Sequence, residues 1–181
     1  MEAIIYLLRF VFDALLMILI VRVWLQWVKA DFYNPLSQFI VKVSNPIVVP
    51  LRRVIPGIGG IDLATILIAY IVATLKFVAL AALSGENLGV LAFYIGLLVL
   101  IKQAGFLLFV LMIVMAIMSW VVQGYNGTLM ILNQLTEPFL NPLRKIIPNM
   151  GGLDLSMLVA FLAMNIINIL LSNSLPYWSA L

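Results

Sequence analysis

The residues of this chain best placed to do chemistry fall in a motif that occurs twice. Arg52 and Arg53 lie between Pro50 and Pro56, with Gly59, Gly60 and Asp62 following; Arg144 and Lys145 lie between Pro142 and Pro148, with Gly151, Gly152 and Asp154 following. A constant offset of 92 residues relates the two copies of this motif without a gap, so the chain is an internal duplication. Paired cations can bind phosphate or carboxylate, a glycine pair permits a tight turn, and an aspartate ahead of an apolar run caps a helix. Two readings fit. In one the motif is architecture, with proline breaks, a glycine turn, a carboxylate cap and arginines that snorkel to the bilayer interface. In the other the basic pairs form an anionic lipid-headgroup site or a docking surface for a partner. Gly57-Ile58-Gly59-Gly60 is a poor nucleotide loop: no strand precedes it, no Walker lysine follows, and Asn149 replaces the first glycine in the second copy.

A second group of polar residues is buried in apolar sequence, where a charge at the bilayer centre costs about 2.5–3.5 kcal/mol or more. Asp13 lies fifteen positions before Val28 and Lys76 fourteen after Asp62, which places them near one depth as an ion pair. Arg9 stacks one turn from Asp13 and, with a one-residue gap between the halves near Trp27 and Trp120, corresponds across the repeat to Lys102, both toward the outer leaflet. Asn168 corresponds to Lys76, and Asn165 lies one turn before it. Arg22 is six residues from Val28, close enough to snorkel inward, and its repeat counterpart is Met115. Arg9, Asp13, Lys76, Lys102, Asn165 and Asn168 either form a structural polar seam between helices or line a route for ions. The neutralising pair favours the seam, because a cation route needs carboxylate rings or broken helices at the midplane.

The elements that position these residues follow from composition. With 65% hydrophobic and 9% charged residues among 181 and a mean hydropathy of +1.21, the chain is an integral membrane protein. Residues 4–28, 62–83, 101–122 and 153–175 are each long enough to cross roughly 30 Å of hydrocarbon as helices. The first stretch lacks a basic leader and a small-residue cleavage site, so it is expected to be retained. Cysteine and histidine are absent, which removes disulfides, thiolate chemistry and the commonest zinc and haem ligands. No metal or other cofactor is expected. Without a nucleophile and base paired in the membrane interior, the chain is read as no enzyme.

The fold class is therefore an all-α membrane protein with four transmembrane helices arranged as two hairpins. Each copy contributes two crossings, so the repeat is parallel and predicts a pseudo-twofold axis along the membrane normal, unlike an inverted repeat. Residues 1–87 form the first repeat and 88–181 the second. Joints 29–61 and 123–152 hold Lys29, Lys42, Arg52, Arg53, Arg144 and Lys145, which places them in the cytoplasm by the positive-inside bias and both termini outside, on the periplasmic side. Each joint is expected to be an amphipathic, proline-divided segment, interfacial or re-entrant. Its first part starts at Asn34-Pro35 with a stripe of Leu36, Phe39, Ile40 and Val43, matched by Ile131, Leu132 and Leu135. A second short piece is expected after Pro46 and Pro138. The apolar segment 88–100 has no counterpart in the first copy, and it is either a surface helix or an extension of the third crossing. The expected partners are the bilayer, its anionic headgroups, and a membrane-protein partner or a second copy of the chain; the net charge of +3 calls for no nucleic acid.

The shared pattern Pro46, Pro50, Leu51, Arg52, Pro56, Gly59, Gly60 and Asp62, repeated as Pro138, Pro142, Leu143, Arg144, Pro148, Gly151, Gly152 and Asp154, resembles the YggT family in both halves. The resemblance implies a bacterial inner-membrane protein of two tandem modules, in a family linked to osmotic-stress tolerance and potassium uptake, with plastid relatives linked to cytochrome assembly. It supplies no catalytic residues. The function it implies is a contribution to ion homeostasis under osmotic stress, directly or through a partner; the alternative is an assembly or scaffold subunit that binds a larger complex or lipid through its basic joints.

Overall fold

A computed structural model describes residues 2–122, 124, 126–147 and 155–181. Six helices follow one another: α1 (Glu2–Trp27), α2 (Pro35–Arg52), α3 (Leu63–Leu83), α4 (Leu91–Val121), α5 (Gly127–Arg144) and α6 (Leu155–Ser174), with a 3₁₀ turn at Trp178–Ala180. α1, α3, α4 and α6 are long and apolar enough to cross a membrane. The protein is all-α, and its many outward-facing Leu, Ile, Phe and Val side chains on these helices are what a lipid environment requires.

The chain divides into two compact units, Met1–Ala104 and Gly105–Leu181. In the first, α1 packs along α3, and α2 lies against both. Leu16, Leu19 and Leu25 of α1 are buried with Ala64, Ala69 and Ala73 of α3 and Val48 of α2; small residues on α3 suit close approach in lipid, where packing replaces the hydrophobic drive. α1 stops in a Schellman arrangement: the Ala30 amide reaches the Leu25 carbonyl at 2.9 Å and the Lys29 amide the Gln26 carbonyl at 3.2 Å. Lys29 takes the left-handed φ of 52° that such an ending demands and that glycine normally supplies.

Segment 88–100 is resolved in favour of the crossing. From Leu91 onward it is one helix with residues 101–121, 31 residues in all, or about 46 Å. Its beginning is held to α3 at one tight point. A Cβ on Gly96 would stand 2.2 Å from Thr74 Oγ1 and 2.9 Å from Thr74 Cα, so only glycine permits the approach. Nearby, the Tyr70 hydroxyl donates to the Phe93 carbonyl at 3.0 Å.

In the second unit α5 packs on α6, and Ile131, Leu132, Leu135 and Leu140 of α5 are buried. Phe109 of α4 meets Phe161 of α6 edge to face, with centroids 5.0 Å apart at 67°. The 3₁₀ turn folds back on α6: buried Trp178 donates from Nε1 to Asn168 Oδ1 at 2.9 Å.

The joints differ from the proline-divided expectation. α2 runs unbroken through Pro46 and Pro50, and α5 through Pro138 and Pro142. Each proline pair is spaced by four, so the missing amides lie one above the other along a single edge. All four prolines are exposed, and the carbonyls they leave unpaired can be satisfied by water or headgroups. The stripe also differs in the first half. Ser37, Ile40, Ser44 and Val48 face inward on α2, whereas Leu36, Phe39 and Val43 stay at least partly exposed. A helix with one face on α1 and α3 and a second apolar face left over is suited to lying in the interface.

Candidate functional site

The site is built where α1 ends, α2 ends and α3 begins. Asn34 caps α2 by accepting the Leu36 amide at 2.9 Å, and Pro35 opens the helix. α2 carries Arg52 in its last turn and Arg53 as its C-cap, where positive charge suits the helix dipole. Ile58 and Ile61 then pair across Gly59 and Gly60, whose φ values of 63° and 85° close a turn that side chains resist. The chain returns to Asp62, which caps α3 by accepting the Thr65 amide at 3.2 Å.

This turn sets Arg52 on Asp62. Arg52 Nε and Nη2 donate to Asp62 Oδ2 at 2.9 and 2.5 Å, Thr65 Oγ1 donates to the same oxygen, and Arg52 Nη2 also donates to Gln26 Oε1 of α1. One guanidinium thereby ties three helices together. Burial of Asp62 opposes its ionisation, but the Arg52 hydrogen bonds, those of the Thr65 hydroxyl and amide, and the Arg52 charge together hold the carboxyl below its ordinary value of 3.8.

Arg22 lies beneath this cluster. It does not snorkel to water: it is 4% exposed, covered by α2, and its Nη1 donates to Ser44 Oγ at 2.6 Å and to the Val41 carbonyl at 3.5 Å. The equivalent place in the second unit is filled differently, with Thr136 Oγ1 donating to Met115 Sδ at 3.0 Å and to the Leu132 carbonyl at 2.8 Å. The hydroxyl stays at both joints, while its partner changes from a cation to a soft thioether.

Within the spans, Lys76 Nζ and Asp13 Oδ1 meet at 2.6 Å. Arg9 is exposed on α1 and Lys102 half-buried on α4; Asn165 is exposed, and Asn168 serves Trp178. At the second joint Asn126 caps α5 by accepting the Thr128 and Leu129 amides at 2.9 and 3.1 Å. Arg144 sits in the last turn of α5 and Lys145 is its C-cap, both exposed. Gly151, Gly152 and Asp154 lie outside the described residues. No group of histidine, cysteine, aspartate and glutamate residues able to hold a metal is present among the described residues.

Sequence reasoning missed Gln26, Ser44 and Thr65. The signals were present: Gln26 is one turn after Arg22, Thr65 holds the third position after a capping aspartate, and Ser44 recurs as Thr136 at the repeat offset. None of these alone announces a site.

Four membrane-crossing helices, with amphipathic helices bearing cations at their ends, define a multi-pass membrane protein of helical-joint type. The CCB3/YggT family description matches residues 1–83 and 94–175, and the chain belongs to that family. It is 47% identical to a Vibrio alginolyticus protein over 98% of both chains. It is 44% identical to Escherichia coli YggT over 93% of this chain and 88% of that one, and 43% identical to a Pseudomonas aeruginosa protein over 96% and 90%. No solved structure matches. The chain is thus a bacterial multi-pass inner-membrane protein of the YggT family.

Proposed function

We propose that the protein is a non-enzymatic membrane subunit that supports ion homeostasis under osmotic stress by holding a partner membrane protein, with the basic ends of its joints as the contact. The setting of osmotic stress and potassium comes from the family resemblance. The observation that carries the partner reading is the Asp13–Lys76 pair at 2.6 Å: Asp13, well inside α1, is already neutralised, which suits a rigid scaffold better than a cation path. Arg53, Arg144 and Lys145, exposed at helix ends, supply the charge for the contact with a partner or with anionic headgroups. In this reading residues 1–87 and 88–181 are two parallel modules, the joints face the cytoplasm and both termini the periplasm.

Purified protein in liposomes under an imposed potassium gradient tests the proposal together with affinity isolation from osmotically stressed membranes. The expected result is no flux and stoichiometric recovery of one membrane protein, lost in Arg53→Glu/Lys145→Glu. Potassium flux abolished by Asp13→Asn or Lys76→Gln would overturn it in favour of direct conduction.

A further inference from the structure

The cluster where α1, α2 and α3 meet holds more cations than anions. It contains two guanidinium groups, Arg22 and Arg52, each within electrostatic reach of the other and of Asp62. Asp62 is the carboxylate they share, and it is spent: Oδ2 receives Arg52 and the Thr65 hydroxyl, and Oδ1 receives the Thr65 amide. Arg22 makes no ion pair with it. Ser44, the chief partner of Arg22, is itself neutral and donates onward to the Ile40 carbonyl at 2.5 Å.

A donor count sharpens the imbalance. A guanidinium has five N–H groups and no acceptor, and among the described residues Arg22 uses only Nη1, leaving Nε and Nη2. Arg52 uses Nε and Nη2, leaving Nη1. Gln26 must turn its amide oxygen to Arg52, because arginine can only donate; its NH₂ group is therefore directed elsewhere. Arg22 and Gln26 are four apart on α1, so they share a face. The result is a net positive cluster, rich in donors and short of acceptors, around a cation that is almost wholly buried. A buried cation that shares its one counter-charge with a second guanidinium is incompletely balanced, and a further anion would complete it.

We propose that Arg22, with Gln26 and Arg52, binds the phosphate of an anionic phospholipid. A phosphate brings the negative charge and the multiple acceptor oxygens that the cluster lacks, and planar guanidinium groups match it. Depth favours the lipid as its source. Arg22 lies five residues before the end of α1, about 7.5 Å of helix rise, beneath an amphipathic helix and beside Trp24 and Trp27, the level at which headgroups and aromatic belts meet. The site belongs to the first unit alone, since Met115 stands at the Arg22 position of the second. It is independent of the partner contact through Arg53 and Lys145.

The test uses the full chain in neutral detergent, titrated separately with phosphatidylglycerol, phosphatidylcholine and inorganic phosphate, with thermal unfolding and native mass spectrometry as readouts. Phosphatidylglycerol is expected to stabilise the protein and remain bound one per chain, with phosphatidylcholine much weaker. Arg22→Met, which copies the second unit and is expected to fold, weakens retention by roughly ten- to a hundredfold, the loss of charge-assisted hydrogen bonds. Arg22→Lys recovers part of it. Stabilisation by inorganic phosphate without any by phosphatidylglycerol overturns the lipid source. Undiminished phosphatidylglycerol retention in Arg22→Met, or no effect of either phosphate on the parent protein, overturns the site.

Discussion

Arg52 and Asp62 form an unequal pair, and the inequality predicts which substitution costs more. Asp62 is 1% exposed, whereas the Arg52 side chain is 39% exposed and can turn to water or headgroups when its partner is lost. Asp62→Asn keeps a good capping residue and removes the charge, so it is expected to cost about 1–2 kcal/mol, discounted for the exposure of Arg52. Asp62→Ala loses the cap as well, for a total of about 2–3 kcal/mol. Arg52→Gln strands a buried carboxylate with only Thr65, and is expected to cost about 2–4 kcal/mol, more than Asp62→Asn. The double variant Arg52→Gln/Asp62→Asn should recover about 1–2 kcal/mol of the summed losses. Reversible unfolding in mixed micelles, followed by tryptophan fluorescence, measures all four. Additivity within about 0.5 kcal/mol, or a smaller loss for Arg52→Gln than for Asp62→Asn, refutes the reasoning. The pH dependence has a fixed sign: a carboxyl held below 3.8 when folded contributes its full stability above that value and loses it as the pH falls through the depressed one. Asp62→Asn should remove this part of the acid slope.

Three further outcomes follow from the packing. Asp13→Lys and Lys76→Asp should each lower folded yield in membranes, while the exchanged double variant recovers it; failure to recover means that the 2.6 Å contact contributes little. Gly96→Ala places a methyl 2.9 Å from the Thr74 backbone and should cost about 1–3 kcal/mol, whereas Gly105→Ala, with nothing within 4 Å, should be neutral or slightly stabilising. Lys29→Gly relieves a left-handed lysine at the end of α1 and should raise stability by about 0.5–1 kcal/mol, read as a higher unfolding midpoint.

What the sequence determined by itself was set by local rules: apolar length dictates crossings, Asn-Pro opens α2, Gly-Gly-Asp closes a turn and starts α3, and a repeat offset aligns two joints. The Asp13–Lys76 contact was legible for the same reason, because equal helical rise on two spans gives equal depth. Other features depended on which face met which neighbour. Periodicity identified α2 as amphipathic but not that Ser37, Ile40, Ser44 and Val48 would turn inward, since both faces carry apolar residues and lipid accepts what the protein interior leaves over. Prolines read as breaks because proline removes a backbone bond; the tertiary structure kept both helices whole by placing that edge outward. Arg22 is the sharpest case. Six residues from a span's end it reads as a snorkelling cation, yet α2 folds over it and Ser44 takes its Nη1. Burial under a second helix, a relation no local spacing encodes, turned an ordinary interfacial arginine into a cation in search of an anion.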